Sequence, residues 1–317
     1  MKFLKITLVS ILVILFIAFA TGYILYIKNN TEVLTLDEAA RKNVPGSFVQ
    51  LTDGITHYEL AGPDTGKVVV LVHGFSVPYY IWDSTFVALV QEGYRVLRYD
   101  EYGRGFSDRP NKVYEASLLR HQLEELLEKL QLQSVYAIAG LSFGGPVVTD
   151  FVIHHPNQVD KVILVDPYYP VESSMPPQRQ YPESYLRYMM ALSPEDVVIG
   201  QLTDFKYPDR FPGWTEQYKV QMQYKGFRHA IISTRLHYAT PEKMRANYRE
   251  LDTLNKRILL IWGKDDITTP FISSDDLRTV LRVEFKPLDD AAHLPHMEKA
   301  TLVNAKILTF LRHYSSR

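Results

Sequence analysis

Short apolar runs of strand length alternate with helical patterns along most of this chain, and that alternation constrains its fold more than any other feature. The runs lack the polar alternation of a half-exposed strand, which is typical of strands buried on both faces of a parallel sheet. They occupy residues 68–72, 95–99, 135–139, 162–165, 258–262 and 283–288. Helical patterns lie at 82–91, 115–130, 145–155 and 298–313. This order predicts an α/β fold in which helices flank a mostly parallel central sheet.

Two segments depart from the alternation. Residues 48–51 and 55–60 form a predicted β-hairpin around Asp53-Gly54, which is a strong turn dipeptide. The connection between Asp166 and Ile258 is about ninety residues long, far more than an ordinary loop, and it contains helical patterns at 183–192, 194–202 and 214–237. We therefore predict a core made of residues 48–167 and 241–317, with a helical cap inserted at 168–240.

The N-terminal segment is apolar and uncharged from residue 6 to residue 27, after Lys2 and Lys5. This length is sufficient to cross the hydrocarbon core of a bilayer. The preceding positive charges place the N-terminus in the cytoplasm and the rest of the chain on the other side. We predict a membrane anchor at 1–28 and a linker at 29–47. One alternative is a signal peptide, cleaved after Ala18-Phe19-Ala20, that leaves a secreted protein. Another is a buried helix of the soluble domain.

Composition excludes several classes of function. The chain contains no cysteine, which excludes disulfides, a cysteine nucleophile and thiolate metal sites. Its formal net charge of −1 provides no field that would attract nucleic acid. We therefore expect a small-molecule substrate and a membrane contact through residues 6–27, and no nucleic-acid partner.

The sequence Gly-Leu-Ser-Phe-Gly at residues 140–144 has the Gly-x-Ser-x-Gly spacing of a nucleophile elbow. A predicted strand ends just before it and a predicted helix begins just after it, as the sharp turn requires. Glycines on both sides of Ser142 allow neighbouring backbone to pass closely. The helix N-terminus also adds a positive dipole beside the hydroxyl. These features predict Ser142 as a nucleophile.

A nucleophilic serine that attacks a carbonyl needs two N–H donors for the developing oxyanion. The first is the backbone N–H of Phe143, directly after Ser142. The second is expected from the loop after an earlier strand, where His73-Gly74-Phe75 follows residues 68–72. We predict Phe75 and Phe143 as the oxyanion donors.

An acid and a histidine must follow the serine in that order. Asp266 follows the next-to-last predicted strand, and carboxyl ends of parallel strands share one edge of the sheet. Asp265 and Asp166 remain alternative acids at this point. His293 follows the last predicted strand and is our candidate base, with His296 as the alternative.

These motifs together resemble the α/β-hydrolase superfamily over about residues 48–315. Besides the elbow and the His-Gly-Phe turn, the matching residues are Asp100, Gly103, Arg104, Gly105, Ser107, Pro110, Gly263, Asp266, Pro270, Ala292 and His293. The resemblance implies Asp266 as the acid. A serine at position 142 argues against haloalkane dehalogenases and epoxide hydrolases, which use an aspartate there. The sequence looks like carboxylesterases and monoacylglycerol lipases, including forms with an N-terminal anchor.

The resemblance implies a Ser-His-Asp serine hydrolase that cleaves carboxylic esters through an acyl-enzyme, with no metal or organic cofactor. The predicted cap is rich in aromatic residues and methionine, which suits an apolar, lipid-like acyl group. We predict substrate contacts from Tyr168, Tyr169, Met189 and Trp214.

Three other functions share the same residues. A proline iminopeptidase-like peptidase would need an acidic cap side chain for the substrate amine, and four are available: Glu183, Glu195, Asp196 and Glu216. A carbon–carbon bond hydrolase is disfavoured because the loop after His73-Gly74 lacks the glycine-rich continuation of that group. A ligand sensor that retains the triad would differ from an enzyme in its turnover number.

Overall fold

The computed structural model describes residues 2–170 and 181–312, and within them an eight-stranded sheet organises the chain. The strand order is β1-β2-β4-β3-β5-β6-β7-β8. Strand β2 pairs antiparallel with β1 and with β4, and all other neighbours in this order pair parallel. The strands are β1 (Ser47–Leu51), β2 (Gly54–Ala61), β3 (Val68–Val72), β4 (Arg95–Tyr99), β5 (Val135–Leu141), β6 (Val159–Val165), β7 (Arg257–Gly263) and β8 (Glu284–Leu288). The predicted mostly parallel α/β fold is confirmed, and so is the hairpin.

Helices cover both faces of the sheet, and further helices precede it in the chain or lie over its carboxyl edge. They are α1 (Lys2–Asn29), α2 (Glu38–Arg41), α3 (Asp83–Gln91), α4 (Ala116–Lys129), α5 (Gly144–His154), α6 (Glu183–Leu192), α7 (Pro194–Gly200), α8 (Trp214–Met222), α9 (Phe227–His237), α10 (Pro241–Thr253), α11 (Ser273–Val280), α12 (Pro295–Glu298) and α13 (Ala300–Arg312). Val70 packs with residues of α4, α5 and α10, while its neighbour Leu71 packs with residues of α3 and α13. Burial of each such side chain contributes about 1.5–3 kcal/mol, which explains why the central strands are apolar on both faces.

Two helices differ from their sequence-based predictions. The pattern at 214–237 predicts one helix, but Gly226 has φ +96° and separates α8 from α9. A Cβ at Gly226 would lie 2.9 Å from the Cβ of Arg109, so the break is also a place of close packing. Helix α10 was not predicted, although Thr240 caps it through the N–H of Lys243 and Pro241 occupies its first turn.

The predicted linker at 29–47 packs onto the body of the protein. Leu34 forms a parallel β-bridge with Tyr224, and Arg41 forms an ion pair with Asp108 at 2.5 Å. The chain that leaves α1 is therefore held in place by contacts along its length.

The predicted cap region contains α6 to α9, and its residues 171–180 lie outside the described part of the chain, as do residues 313–317 of the predicted core. Side chains from this region bind loops at the carboxyl edge of the sheet. Gln221 donates to the carbonyl of Ser76 at 2.8 Å and accepts from the N–H of Gly105 at 3.0 Å. The region thus covers the edge at which β3, β5 and β7 end.

Helix α1 is apolar and its side chains are exposed. Its residues Lys5–Asn29 are long and apolar enough to cross a membrane, and no part of the most apolar window is buried against the protein. A signal sequence near an N-terminus has the same length and composition, so the helix is compatible with both predictions made from the sequence.

Candidate active site

Ser142 lies at the carboxyl end of β5, in a turn that leads directly into α5. Its φ of +53° is in the left-handed region, which costs a non-glycine residue on the order of 1–3 kcal/mol. Backbone hydrogen bonds hold it there: its N–H donates to Val165 at 2.9 Å, and its carbonyl accepts from Gly145 at 2.9 Å and from Tyr168 at 2.8 Å. This strained turn is the geometry that the Gly-x-Ser-x-Gly spacing predicts.

The two glycines of the motif are required by backbone packing. A Cβ at Gly144 would lie 2.5 Å from the carbonyl oxygen of His73, and a Cβ at Gly140 would lie 2.4 Å from the carbonyl oxygen of Gly144. Backbone atoms cannot rotate away as a flexible side chain can, so both positions exclude any larger residue.

We expect Gly144→Ala to destabilise the protein by about 3 kcal/mol and to reduce kcat/KM by about 100-fold, because the added methyl displaces the elbow from the loop at His73. Denaturant unfolding and ester hydrolysis measure the two effects. The matched control is Gly200→Ala, where a Cβ meets nothing within 4 Å and φ is −55°. That substitution should raise stability by about 0.5 kcal/mol. Equal stability changes in the two variants would contradict this account of the elbow.

The loop after β3 lies against the serine. A Cβ at Gly74 would lie 3.2 Å from the Cβ of Ser142, so the two turns are in close contact. His73 links this loop to the loop after β4. Its Nδ1–H donates to the carbonyl of Gly74 at 2.7 Å, and its Nε2 accepts from the N–H of Glu101 at 2.9 Å. Burial lowers the pKa of His73 to about 4, so it is neutral and structural.

Two backbone donors beside Ser142 have no partner among the residues that the structure describes. Among the hydrogen bonds of residues 2–170 and 181–312, none uses the backbone N–H of Phe75 or of Phe143. Phe143 is the cap residue directly before α5, where backbone N–H groups have no acceptor within the helix. The pair of unpartnered donors fits the predicted oxyanion site.

Asp266 lies in the turn after β7 and is held by four donors. Its Oδ1 accepts from the backbone N–H groups of Thr268 at 2.8 Å and Thr269 at 2.9 Å. Its Oδ2 accepts from the hydroxyl of Thr269 at 2.7 Å and from Nδ1–H of His293 at 2.9 Å. Burial alone would raise the pKa of Asp266, but the charge and hydrogen bond of His293 and the bond from Thr269 lower it below its ordinary value. The group is therefore a carboxylate at neutral pH.

The alternative acid Asp265 and the alternative base His296 are engaged elsewhere. The Asp265 carboxylate is exposed and accepts from Lys206 Nζ at 2.7 Å. His296 is buried, its Nε2–H donates to the carbonyl of Ile81 at 2.9 Å, and burial lowers its pKa to about 3. Neither side chain takes part in the Asp266–His293 pair.

Asp166, the third candidate acid, is a buried neighbour of the pair. Its Oδ1 accepts from the N–H of Gly263 at 2.8 Å, and no described residue hydrogen-bonds its Oδ2. Burial, and then the negative charge of Asp266, raise the pKa of Asp166 well above its ordinary value. Asp166 is therefore a neutral carboxylic acid beside a charged one.

His293 lies in the loop after β8, with its ring buried. Burial lowers its pKa, but the charge and hydrogen bond of Asp266, and then the charge of Asp204, outweigh burial and raise the pKa above 6.5. His293 and Ser142 line the same cavity. No hydrogen bond joins the Ser142 hydroxyl to the imidazole in the described structure; in ligand-free enzymes such bonds are often long and tighten when substrate binds.

We expect hydrolysis to rise with pH and to reach a plateau above the pKa of His293, because only the neutral ring accepts the serine proton. Since Asp266 raises that pKa, Asp266→Asn should move the acid limb of the kcat/KM profile to lower pH as well as reduce its height. The profile of the variant, measured on one ester from acidic to neutral pH, checks the direction. A limb that shifts to higher pH would contradict the assignment.

Asp166, Asp266 and His293 also form a cluster whose ligating atoms lie within 4.8 Å of one another. Two of those atoms are already bonded to each other, since Nδ1 of His293 donates to Oδ2 of Asp266 at 2.9 Å. A metal ion at this position would have to replace that hydrogen bond. The donor set therefore fits an acid–base pair better than a metal site.

A cavity of about 600 Å³ opens over the serine, a volume in the usual range for a small-molecule site. Its apolar lining residues are Phe75, Val77, Ile81, Leu186, Met190, Val197, Tyr218, Ile231, Ile232 and Leu294. Polar groups at its wall include Asp196, Gln201, Asp204, Arg235 and Thr268. The cavity lies between the carboxyl edge of the sheet and helices α6 to α9.

The four predicted substrate contacts lie outside the lining of this cavity. Met189 is exposed, whereas Met190, the next residue on α6, lines the cavity. One step along a helix rotates a side chain by about 100°, so the composition of the cap did not show which methionine faces inward. Trp214 instead packs edge-on against Tyr80 and Phe205.

Tyr168 and Tyr169 pack toward the core. The Tyr169 ring lies 5.6 Å from the ring of Tyr248, and Tyr168 is half-buried against the same apolar layer. Neither tyrosine is among the residues that line the cavity over Ser142, so their contact with substrate stays a prediction.

Two site residues were not predicted. The carbonyl of Asp204 accepts from the N–H of His293 at 3.1 Å, and its carboxylate accepts from the Thr268 hydroxyl at 2.7 Å. Nothing in the sequence marks this aspartate, because a long cap segment brings it to the site. Thr269 lies three residues after Asp266 and directly before Pro270. Its place in this short turn is the sequence feature that could have identified it.

A comparison with known families agrees with the fold. The model of the alpha/beta hydrolase fold family matches residues 67–300 of this chain. The chain therefore belongs to the alpha/beta hydrolase fold family, as the motifs predict.

This chain matches similar proteins over nearly the whole of their lengths. The AB hydrolase superfamily protein YfhM of Bacillus subtilis is 26% identical over 281 residues, which is 82% of this chain and 96% of the relative. The enol-lactonase of Burkholderia xenovorans has a similar structure, with a TM-score of 0.72, 19% identity, and coverage of 84% of this chain and all of that one. An esterase of Exiguobacterium antarcticum gives a TM-score of 0.70 with the same identity and coverage. At this identity the two structures show the shared fold alone.

Proposed function

We propose that this protein is a serine hydrolase that cleaves carboxylic esters of apolar acyl chains. One observation supports it above the others: Ser142, His293 and Phe75 line one largely apolar cavity, with Asp266 hydrogen-bonded to His293 and Phe143 next to Ser142 in the chain. That set contains each part that acyl transfer by a serine requires. A hydrolase fold and an esterase among the similar structures are consistent with it.

The first half-reaction follows from the positions of these groups. Nε2 of His293 takes the proton of the Ser142 hydroxyl as Oγ attacks the ester carbonyl. Asp266 holds the opposite nitrogen as Nδ1–H and stabilises the imidazolium that forms. The N–H groups of Phe75 and Phe143 stabilise the oxyanion, each contributing about 3 kcal/mol to the transition state. His293 then protonates the departing alcohol.

The second half-reaction returns the enzyme to its starting state. Water enters in place of the alcohol, His293 removes its proton, and the resulting hydroxide attacks the acyl carbonyl on Ser142. Collapse of the tetrahedral intermediate releases the acid, and the proton returns to Oγ. The four donors to Asp266 keep its carboxylate fixed throughout, so the imidazole retains one tautomer.

The apolar lining suits an acyl chain of medium or greater length. A series of p-nitrophenyl esters from acetate to palmitate, assayed with the full-length protein in detergent, tests the proposal. Multiple turnovers with a preference for medium or long chains are expected. One turnover or fewer on every ester would favour a ligand sensor, and a strong preference for acetate would contradict the apolar substrate.

We expect Met190→Trp to move the chain-length optimum to shorter esters, because the larger ring occupies cavity volume that Met190 borders. The matched control is Met189→Trp on the adjacent, exposed position, which should leave the optimum unchanged. Ratios of kcat/KM across the ester series measure the shift. An unchanged optimum in Met190→Trp would mean that the acyl chain binds elsewhere.

We further propose that α1 remains attached as a membrane anchor, with the N-terminus cytoplasmic and the catalytic part on the other side. The uncharged run and the early lysines support this topology. The helix also continues without a break past Ala20 to Asn29. N-terminal sequencing of the membrane fraction tests it: an intact N-terminus is expected, and a new N-terminus near residue 21 would show signal cleavage.

A peptidase is the second candidate, on one specific observation. Of the four acidic residues predicted to bind an amine, Asp196 lines the cavity, and Asp204 adds a second carboxylate beside His293. The others have partners away from the cavity lining: Glu183 with His229, and Glu195 and Glu216 with Lys219. Proline p-nitroanilide hydrolysed faster than any p-nitrophenyl ester would favour the peptidase.

A further inference from the structure

The last turns of α1 pack along α6. The hydroxyl of Tyr188 donates to the carbonyl of Gly22 at 3.0 Å, and the Tyr188 ring stacks on Tyr26 at 6.0 Å between centroids. One turn further, the side chain of Asn29 donates to the carbonyl of Leu192 at 3.0 Å. These contacts extend over about two turns of α1 and one turn of α6, so α6 has a fixed position beside the end of α1.

The chain after α1 is fixed to α9 as well. The backbone N–H of Arg228 donates to Glu32 at 2.5 Å, and its guanidinium donates to Asn30 at 2.7 Å. The guanidinium also lies over the ring of Tyr26 at 5.8 Å. The orientation of α1 relative to the helices around the cavity is therefore defined by contacts on two of them.

The length of α1 sets the depth at which α6 lies. About 20 helical residues, at 1.5 Å each, cross a hydrocarbon core of about 30 Å. Counted from Ile6, the first residue after Lys5, that distance ends near Leu25. Gly22 and Tyr26 are on either side of this boundary, so the helix that contacts both lies in the headgroup layer.

Beside α1, α6 and the residues just before it present apolar side chains that no described residue covers fully. Tyr181, Tyr185 and Met189 are 52%, 45% and 42% exposed, and they follow one another at intervals of four residues. That spacing places Tyr185 and Met189 in one row along α6. Tyr181 lies two residues before α6 begins, and its ring extends the row because it contacts the ring of Tyr185 at 5.3 Å. We call these three residues the α6 row. Tyrosine suits the membrane interface, because its ring is apolar and its hydroxyl is polar.

A neighbouring face of the same helix, about 100° around its axis, forms a wall of the cavity. Leu186 and Met190, also four residues apart, line the space above Ser142. A single helix therefore contributes both to the catalytic cavity and to the surface that carries the α6 row.

We propose that the α6 row lies in the interfacial layer of the bilayer that α1 spans, and that ester substrates enter the cavity from that layer. The contact between α1 and α6 continues directly into the row, which identifies the lipid bilayer as its occupant. An apolar helix face in this position is buried about 5–10 Å into the boundary between headgroups and acyl chains. The inference rests on the proposed membrane anchor and, for the substrate route, on the proposed esterase.

The absence of cysteine from the sequence permits a direct test of the surface contact. The full-length Met189→Cys variant is labelled at its single cysteine with an environment-sensitive fluorophore. The labelled protein is then reconstituted into vesicles of phosphatidylcholine and phosphatidylglycerol. The matched control is Leu302→Cys on α13, which is 47% exposed and belongs to a helix that packs on α3 and α12. Lipids with a nitroxide near the headgroup should quench the label at position 189 at least about twofold more than the label at 302. Equal quenching at the two positions would overturn the proposal.

A second measurement tests the substrate route. Tyr185→Glu combined with Met189→Glu should reduce hydrolysis of monooleoylglycerol held in vesicles by about tenfold, because charge disfavours the interfacial position. Hydrolysis of water-soluble p-nitrophenyl butyrate should stay within about twofold, and Leu302→Glu should change neither rate. Equal loss on both substrates would overturn the route. A wild type inactive on every ester would refute the proposed function, while the quenching experiment would still decide the position of α6.

Discussion

Replacing Ser142 by alanine is expected to lower kcat for ester hydrolysis by about 10⁴- to 10⁶-fold, because no other group at the site forms the acyl-enzyme. The residual rate would come from the oxyanion donors and from substrate binding. The measurement is steady-state hydrolysis of the best p-nitrophenyl ester with purified full-length protein. A loss of less than about tenfold would contradict the nucleophile assignment, because loss of a covalent step is far more costly.

Two companion variants separate chemistry from folding. Ser274→Ala removes a buried hydroxyl on α11, away from the site, and should retain activity. Ser142→Gly should be as inactive as the alanine variant yet more stable than wild type by about 1 kcal/mol, since glycine adopts φ +53° without strain. Increased stability together with lost activity would show that the strain at this turn serves catalysis.

Replacing Asp266 by asparagine is expected to reduce kcat by about 10³- to 10⁴-fold. The amide can present an N–H to Nδ1 of His293, which would favour the tautomer that leaves Nε2 protonated and unable to act as a base. The comparison is with Asp166→Asn, where the structure predicts a mild effect, within about tenfold. Asp166 is already neutral, and an asparagine retains an oxygen to accept from the N–H of Gly263.

The two asparagine variants decide which acid serves the histidine. Both positions are buried at strand ends and receive the same substitution, so general damage to the site should affect them alike. A larger loss in Asp166→Asn than in Asp266→Asn would reverse the assignment. Both kcat values and thermal unfolding should be measured, since a loss of stability alone leaves kcat per folded molecule unchanged.

Most of the core was predictable from the sequence, because its strands are buried on both faces and remain apolar throughout. The reactive groups were predictable for a related reason: Ser142, Asp266 and His293 each follow a strand, and parallel strands bring their carboxyl ends to one edge. The position of each residue just after a strand was therefore sufficient to predict that the three lie near one another.

The inner wall of the cavity was not predictable in the same way. Whether Met189 or Met190 faces the cavity depends on the rotation of α6 about its axis, and α6 packs against α9 and α1, which are distant from it in sequence. Asp204 reaches His293 because a long helical segment folds back over the sheet edge. The break between α8 and α9 lies beside a bridge from Tyr224 to Leu34, a residue distant in sequence. Such long-range packing leaves no local pattern.

The most direct test of the central claim is to trap the nucleophile. A fluorophosphonate probe reacts with an activated serine, forms a phosphorus–oxygen bond to Oγ and releases fluoride. Incubation of the full-length protein, followed by mass spectrometry of its peptides, should show one covalent adduct on Ser142 that is absent from Ser142→Ala and strongly slowed in His293→Ala. No adduct, or an adduct on another serine, would contradict the account.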